Sequence, residues 1–333
     1  MSMTSTFILL VKQSSHALGN HKVMVISYLL VISPNRKAGL SRSGRNDTSP
    51  DMKMSLVPVL LITTFGLILS KSNAGEKGAA LKSIPDKLVV LTFDDCNKSD
   101  RSFVAALVKK YGFGATFFVT EGLGFLKNKN HYTTWEEITE LDKMGFEVAN
   151  HTRSHPNVAR LDADQVAAEI EHIEKRCAEY KIPKPTTFCY PGFSHSLTAV
   201  QVLAKKNYQF ARRGVGPEYL DGGRGGRGPA YDPKSDHPLL VPTTGYAGPE
   251  WGMKDLQWAV AQAREGKIAV LCFHGVPGLE HPWVNCDPED FKKYLRYLKS
   301  EGCTVIAMRD LAQYVDPAKG PKDPYGPIKA KKK

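Results

Sequence analysis

Five side chains hold most of the reactive potential of this 333-residue sequence: the tandem carboxylates Asp94 and Asp95, the histidines His151 and His155, and His274. Two His four residues apart can point the same way over one turn, as metal ligands do. Together with one carboxylate they make a three-ligand site with an open position, the form that catalytic zinc takes. Neighbouring side chains diverge, so one Asp of the pair can bind a cation while the other handles a proton. His274 is a candidate general acid, because an imidazole of unperturbed pKa about 6.5 exchanges protons at neutral pH. Taken singly, each group has a plainer reading: Asp after a strand often caps the next helix, and a histidine at a strand end often only completes hydrogen bonds.

Placement is what unites them. Leu88 to Phe93 runs straight into Asp94, Phe146 to Ala149 into Asn150 and His151, and Val270 to Phe273 into His274. Short β-branched and aliphatic runs of this kind read as strands buried on both faces, as in parallel α/β sheets. Strand-like runs recur at 87–93, 114–119, 146–150, 186–190, 208–212, 238–242, 268–273 and 303–308. Helix-like stretches lie between them at about 100–111, 134–144, 163–181, 196–206, 252–265 and 287–301. The alternation predicts βαβ units and a parallel sheet, and seven or eight strands suggest a closed barrel. Ligands collect at the carboxyl ends of such strands, so the three groups would face one pocket. A fourth strand end, Phe188-Cys189-Tyr190-Pro191-Gly192, makes a tight turn able to aim a backbone N–H at a reaction centre.

A chain of this length buries a full core, as one α/β domain of roughly 200–250 residues with extras or as two domains. Hydrophobic residues at 42% and charged residues at 24% are ordinary for a globular protein. The net charge of +11 raises the question of nucleic acid, and its distribution answers it. Eight Lys and Arg against Asp47 and Asp51 place +6 in residues 1–74; of the +5 left for 75–333, Lys329, Lys331, Lys332 and Lys333 supply four. The body is nearly neutral, so no nucleic-acid groove is expected. The basic tail, 316–333, reads as a frayed, solvated end. The glycine-rich stretch from Asp221 to Gly228 lacks the Lys-Ser/Thr ending of a phosphate loop and reads as a surface loop.

Residues 1–51 hold short apolar pieces without a steady period, and no fold is expected of them. Met52-Lys53-Met54, the apolar segment 56–69 and Ser72-Asn73-Ala74 are the parts of a secretory signal peptide over 52–74. The apolar run is shorter than the roughly 20 residues of a membrane span. The expectation is that translation starts at Met52 or Met54, with 1–51 no part of the true protein, and that cleavage follows Ala74. Residues 75–86 are then a linker, and the product is exported (secreted, periplasmic or in the envelope) without stable membrane insertion. An uncleaved 56–69 anchor is the alternative. Cys96, Cys177, Cys189, Cys272, Cys286 and Cys303 all follow the signal, and an even number in an exported chain permits disulfides. Cys96, Cys189 and Cys272 sit at strand ends and can equally be free small residues.

Thr92-Phe93-Asp94-Asp95, His151-Thr152-Arg153-Ser154-His155, Tyr190-Pro191-Gly192 and Leu271-Cys272-Phe273-His274, in this order, resemble the motifs of the NodB-type polysaccharide deacetylases, carbohydrate esterase family 4. The resemblance covers about residues 85–312 and implies a distorted (β/α) barrel of about seven parallel strands, with a catalytic domain at 87–315. It implies metal-dependent removal of acetyl groups, usually from N-acetylated sugars of chitin, peptidoglycan or similar polymers. The partner would then be an acetylated polysaccharide or oligosaccharide. Under the same resemblance Asp94 is the catalytic base and His274 the catalytic acid. Asp95, His151 and His155 hold one divalent metal, zinc by expectation, and the backbone N–H of Tyr190 is the oxyanion donor.

Four departures stand out. Family members usually have Gly at Cys96 and commonly an Arg at Cys189, where it contacts the base. Gly275 stands where an Asp usually follows the acidic His, and no Asp-Trp motif is visible in 205–260. Arg212 or Arg213, at the end of the next strand, is the expected substitute cation for Asp94. Substrate contacts are expected from Pro191 and from Trp283, since sugar rings stack on aromatics. Trp251, Tyr246 and His281 lie in neighbouring late segments, and Trp258 reads as core. Rival readings keep the site but change the bond, to an O-acetyl ester or a small amide, or keep the fold as a non-catalytic carbohydrate binder.

Overall fold

The computed structural model describes residues 80–219 and 226–331, together with the backbone of two strands at 8–18 and 21–31. The signal segment 52–74, the start of the linker, residues 221–225 of the glycine-rich stretch and the last two lysines lie outside the described residues. The chain divides into two units, residues 1–72 and 73–333. In the first, β1 (Ile8–Leu18) pairs antiparallel with β2 (His21–Val31), a hairpin formed although the apolar residues keep no steady alternation.

The second unit alternates strand and helix as its sequence predicts. Its strands are β3 (Leu88–Asp94), β4 (Thr116–Val119), β5 (Glu147–Asn150), β6 (Thr187–Cys189), β7 (Phe210–Arg212), β8 (Gly245–Tyr246), β9 (Ala269–Phe273) and β10 (Thr304–Ile306). The helices that follow them are α1 (Ala105–Tyr111), α2 (Trp135–Lys143), α3 (Ala163–Glu179), α4 (Leu197–Lys205), α5 (Met253–Ala261) and α6 (Pro288–Ser300). The sheet runs β7-β6-β5-β4-β3-β9-β8 with every pairing parallel, and β10 lies along the first half of β3. The circle closes irregularly. Val241 N–H donates to Ala211 O on the β7 side, while Thr244 N–H donates to Val270 O and Ala247 N–H to Cys272 O on the β9 side. One short segment thus bridges both edges, and the result is a distorted (β/α) barrel. The strand predicted at 238–242 is instead a helical turn at Pro238–Leu240, because proline brings no N–H to a ladder; pairing begins only at Val241.

Period-two alternation decides which residues face the barrel interior. On β3, Val89, Leu91 and Phe93 join the cluster shared with α1, α5 and α6, while Leu88 and Val90 face inward with Phe118, Ala149, Cys189, Phe210 and Val270. Asp94 shares parity with the inward set. By the same count Cys189, Arg212 and Cys272 close the inward faces of β6, β7 and β9, and His151 and His274 follow β5 and β9 in phase.

At the opposite end of the barrel the sheet is pinned by a group that sequence patterning missed. Glu147, 2% exposed, accepts hydrogen bonds from Thr116 Oγ1 (2.6 Å), Thr187 Oγ1 (2.7 Å) and the Arg309 N–H (2.8 Å). Glu147→Ala leaves three donors without an acceptor, and a drop of about 2–4 kcal/mol in unfolding free energy is expected. Urea denaturation checks this: the midpoint should fall with the slope unchanged.

The C-terminal stretch also differs from expectation. Ile328 is a buried member of the cluster that includes Val166, Leu203 and Leu239, and Tyr325 packs against that cluster, so apolar burial docks a segment whose charge suggested a frayed end. All six cysteines are free and buried, which removes the disulfide option in this structure. Among the described residues no helix is long and apolar enough to cross a membrane.

Candidate active site

The chemistry-bearing groups gather at the carboxyl ends of the strands around a cavity of about 160 Å³, lined by Asp94, Asp95, His151, His155 and His274 together with Gly192, Phe193, Tyr246 and Trp283. The turn carrying the two histidines is internally braced. Asn150 Oδ1 accepts the Thr152 N–H, Thr152 Oγ1 accepts the His155 N–H, and Glu169 on α3 takes both the N–H and the hydroxyl of Ser154. Gly122 lies so close to this turn that a Cβ there would come within 2.9 Å of the His155 Cβ. Several non-glycine residues here have positive φ, among them Asp95 (75°), Cys96 (57°), Thr152 (67°) and His155 (56°). Such conformations cost energy for L side chains and concentrate at functional sites. Cys96 illustrates how one is held where glycine is the easier choice: its Sγ accepts the Thr120 N–H at 3.3 Å.

Asp95 Oδ1 lies 3.4 Å from His151 Nε2 and 3.5 Å from His155 Nε2. A tetrahedral ion with ligand bonds of about 2.0–2.1 Å holds its ligands about 3.3–3.4 Å apart, so these separations fit the edges of such a site. His151 Nδ1–H donates to the Cys189 carbonyl at 2.8 Å, which leaves the Nε2 lone pair facing inward, the outer-shell arrangement that metal-ligating histidines use. Asp95 Oδ1 is buried with no hydrogen-bond partner among the described residues, an orphan that a cation would satisfy. Burial works to raise the Asp95 pKa, but the imidazoles of His151, His274 and His155 around it outweigh that and hold the carboxyl below its usual range. Burial and the His151 charge push His155 down to about 4, keeping it neutral as a ligand must be. The residues present therefore fit a divalent metal.

Asp94 has a different environment. The fully buried Arg212 reaches both carboxylate oxygens through Nη2, at 2.6 Å to Oδ1 and closer still to Oδ2. Its Nη1 donates to Thr243 Oγ1 at 2.9 Å, and the guanidinium carbon lies 5.6 Å from the ring centroids of both Phe118 and Phe193. The thiols of Cys189 and Cys272 approach Asp94 Oδ2 at 3.5 and 3.6 Å. Burial alone would raise the Asp94 pKa; the Arg212 charge, helped by His151 and His274, brings it below the ordinary value. Cys189 and Arg212 are register partners on β6 and β7, and Arg212 Nη2 passes 2.8 Å from Cys189 Sγ. A small residue on one strand thus leaves room for a large cation from the next. Asp94 also falls within two looser donor groups, with His151 and Cys189 and with Cys272 and His274. A guanidinium already neutralising Asp94 disfavours a second cation there.

Arg213 does not share this role. It points to the other face, where it binds Glu218, Leu240 O, Gly214 O and Gly216 O. The expected oxyanion donor is also corrected: the Tyr190 N–H donates to Arg212 O at 3.1 Å within the sheet. In the following turn the Phe193 and Ser194 N–H groups are bonded to Tyr190 O and Pro191 O. Gly192, at φ +55° on the cavity wall, keeps an N–H with no acceptor among the described residues. Pro191 is buried behind this wall, which Gly192 and Phe193 form in its place. The Pro-Gly pair was the sequence signal for this donor; nothing local pointed to Phe193.

His274 Nε2 lies 3.7 Å from Asp95 Oδ2 and 4.0 Å from Asp94 Oδ2. Its Nδ1 is buried without a hydrogen-bond partner among the described residues, and burial lowers its pKa despite the two carboxylates. Trp283 stands 67% exposed at the rim, its ring 5.0 Å from that of His281, and His281 Nε2 is 3.0 Å from the Tyr132 hydroxyl. Trp251 is buried against Phe273 and Tyr294, away from the cavity.

Residues 82–211 match the family model described as polysaccharide deacetylase. A bifunctional xylanase/deacetylase of Pseudobutyrivibrio xylanivorans is 28% identical over 161 residues, 48% of this chain and 25% of that protein. A chitin deacetylase of a Pestalotiopsis species is 29% identical over 119 residues, 35% of this chain and 38% of that protein. Among solved structures, a family 4 carbohydrate esterase from Streptomyces lividans in complex with acetate superposes with a TM-score of 0.43 at 18% identity, covering 72% of this chain and 97% of that one. The chain spans between a quarter and under half of the length of the curated relatives it matches. The segment 82–211 is thus similar to the polysaccharide deacetylase family, and it carries the Asp94-Asp95, His151/His155 and Tyr190-Pro191-Gly192 motifs of the candidate site.

Proposed function

We propose that this protein is a metal-dependent hydrolase that removes acetyl groups from N-acetylated sugars of a polysaccharide such as chitin or peptidoglycan. The observation carrying the proposal is one constellation: three donor atoms within 4.8 Å of one another, with Asp95 Oδ1 at a tetrahedral-edge separation from each imidazole, and an Arg-held carboxylate and a histidine beside them. Two imidazoles, one carboxylate and an open position make zinc the ion of choice. When bound, that ion supplies Lewis acidity toward the amide carbonyl.

The remaining steps belong to the chain's own side chains. Asp94 takes the proton of the attacking water, and Arg212 holds Asp94 ionised and aimed for that task. The Gly192 N–H donates to the oxygen of the former carbonyl as it gains charge, in the manner of an oxyanion hole. His274 gives a proton to the leaving amine from Nε2. Phe193 and Trp283 line the cavity beside the polar groups and offer apolar surface to the substrate.

Acetate release from acetylated chito-oligomers and peptidoglycan, measured with metal content on the same sample, tests the proposal. About one divalent ion per chain with acetate released is the expected result. Dialysis against a chelator should abolish release, and zinc should restore it. Metal bound with no acetate from any N-acetylated substrate, or release from O-acetylated xylan alone, would count against it.

A further inference from the structure

The three candidate metal ligands do not share one support. His151 is set by the sheet: its N–H donates to Val119 O at 2.9 Å and its Nδ1–H to Cys189 O. Asp95 and His155 lie on two separate turns, and residues 120–122 pack against both. On the Asp95 side, the Thr120 N–H reaches the Sγ of the adjoining Cys96. On the His155 side, the Glu121 N–H and the Thr120 hydroxyl both donate to Arg153 O, at 2.9 and 3.3 Å. Gly122 lies so close that a Cβ on it would come within 2.8 Å of the Ser154 carbonyl. What fixes this segment is a carboxylate that the reaction does not use. Glu121, its side chain 7% exposed, accepts hydrogen bonds from Trp135 Nε1 (2.7 Å) at the start of α2 and from His172 Nε2 (2.7 Å) and Arg176 Nε (2.9 Å), one turn apart on α3. The Arg176 guanidinium also lies 5.1 Å from the Trp135 ring, so donors from the two helices meet each other as well.

We infer that Glu121 is a positioning residue for the metal site: it anchors residues 120–122 to α2 and α3 and thereby holds His155 opposite Asp95. This role rests on the metal-dependent reading above and adds a determinant outside the residues that touch ion or substrate. Asp95 Oδ1 and His155 Nε2 stand 3.5 Å apart. A ligand set of this kind must be held to within about 0.5 Å by its surroundings. The turn that carries His155 has positive φ at Thr152 and His155, a conformation that persists only where neighbours impose it. Without the Glu121 carboxylate, Trp135, His172 and Arg176 lose their shared acceptor and the segment loses its tie to both helices. His155 then gains freedom that metal binding must remove. Outer partners of metal ligands change affinity by about 10–100-fold, and the step of backbone packing between Glu121 and His155 places this effect at the lower end.

Zinc affinity of the full-length protein, measured by competition with a chromophoric chelator, tests this role. Glu121→Ala should weaken zinc binding about tenfold, and Glu121→Gln, which keeps one acceptor oxygen, should fall between it and the wild type. Glu147→Gln controls for stability alone. Glu147 also serves three donors, at the opposite end of the barrel, so the variant should unfold more easily in urea while its zinc affinity stays within about twofold of the wild type. An unchanged affinity in Glu121→Ala, or an equal loss in Glu147→Gln, would overturn the positioning role. Should Glu121→Ala not fold, Glu121→Gln carries the same comparison. Amide hydrogen exchange without metal separates this role from the reading it rests on. The His155 N–H, bonded to Thr152 Oγ1, should exchange about tenfold faster in Glu121→Gln, while the His151 N–H in the sheet stays within about twofold. If the wild type binds no zinc, the metal-dependent reading fails, and selective acceleration at His155 still upholds the positioning role. Parallel acceleration at both amides, or none at either, removes it.

Discussion

Asp94→Asn is expected to lower kcat by about three orders of magnitude while metal content stays at the wild-type level, because a positioned general base contributes about 10²–10⁴-fold. The substitution keeps the size of the side chain and removes its capacity to accept a proton. Asp95, His151 and His155 hold the metal-ligand separations without any contribution from Asp94. Metal analysis and acetate release on one preparation therefore separate the roles of the two adjacent carboxylates. Loss of metal in Asp94→Asn would mean that the pair divides its labour the other way, and a fully active variant would remove Asp94 from the reaction.

Arg212→Met should be the most damaging single change to stability near the site, at about 3–5 kcal/mol, because it leaves the Asp94 carboxylate buried without its cation. Activity should fall with it. The pH dependence carries a sign that distinguishes this cause from simple loss of packing. In the wild type the folded Asp94 pKa lies below its unfolded value, so this interaction contributes stability above that unfolded value, about 4, and loses it as pH falls through the folded one. In the variant, burial without Arg212 raises the folded pKa above the unfolded value. Acidification from pH 7 then protonates the folded state preferentially, and the deficit against the wild type should narrow toward pH 5. Urea unfolding at the two pH values measures this; a deficit that stays constant would point to lost packing alone. Because Cys189 Sγ lies within 3.5 Å of Asp94, adding Cys189→Arg to Arg212→Met should return part of both stability and activity by supplying the cation from β6.

Much of this protein is written locally. Apolar runs ending in Asp94, His151 and His274 announce buried parallel strands and the end at which chemistry gathers. The residue types and the spacing of His151 and His155, joined to their place at a strand end, pick out candidate metal ligands. These are properties of single segments, governed by side-chain chemistry and by the two-residue period of a strand. What needed the tertiary structure was every choice between neighbours. Arg212 and Arg213 are adjacent and chemically alike, yet one meets Asp94 and the other Glu218, because the register of β7 against β6 sets which of them faces inward. The Tyr190 and Gly192 amides are two residues apart, yet the ladder to β7 uses the first, while Gly192 lines the cavity with no acceptor for its N–H among the described residues. Tyr325 sits in a stretch whose charge suggested solvent, and a few apolar contacts with distant helices outweighed that charge. Register, consumed donors and docking depend on partners far away in the chain, so residue types and spacing marked the candidate site while packing decided which of several chemically qualified groups reach it.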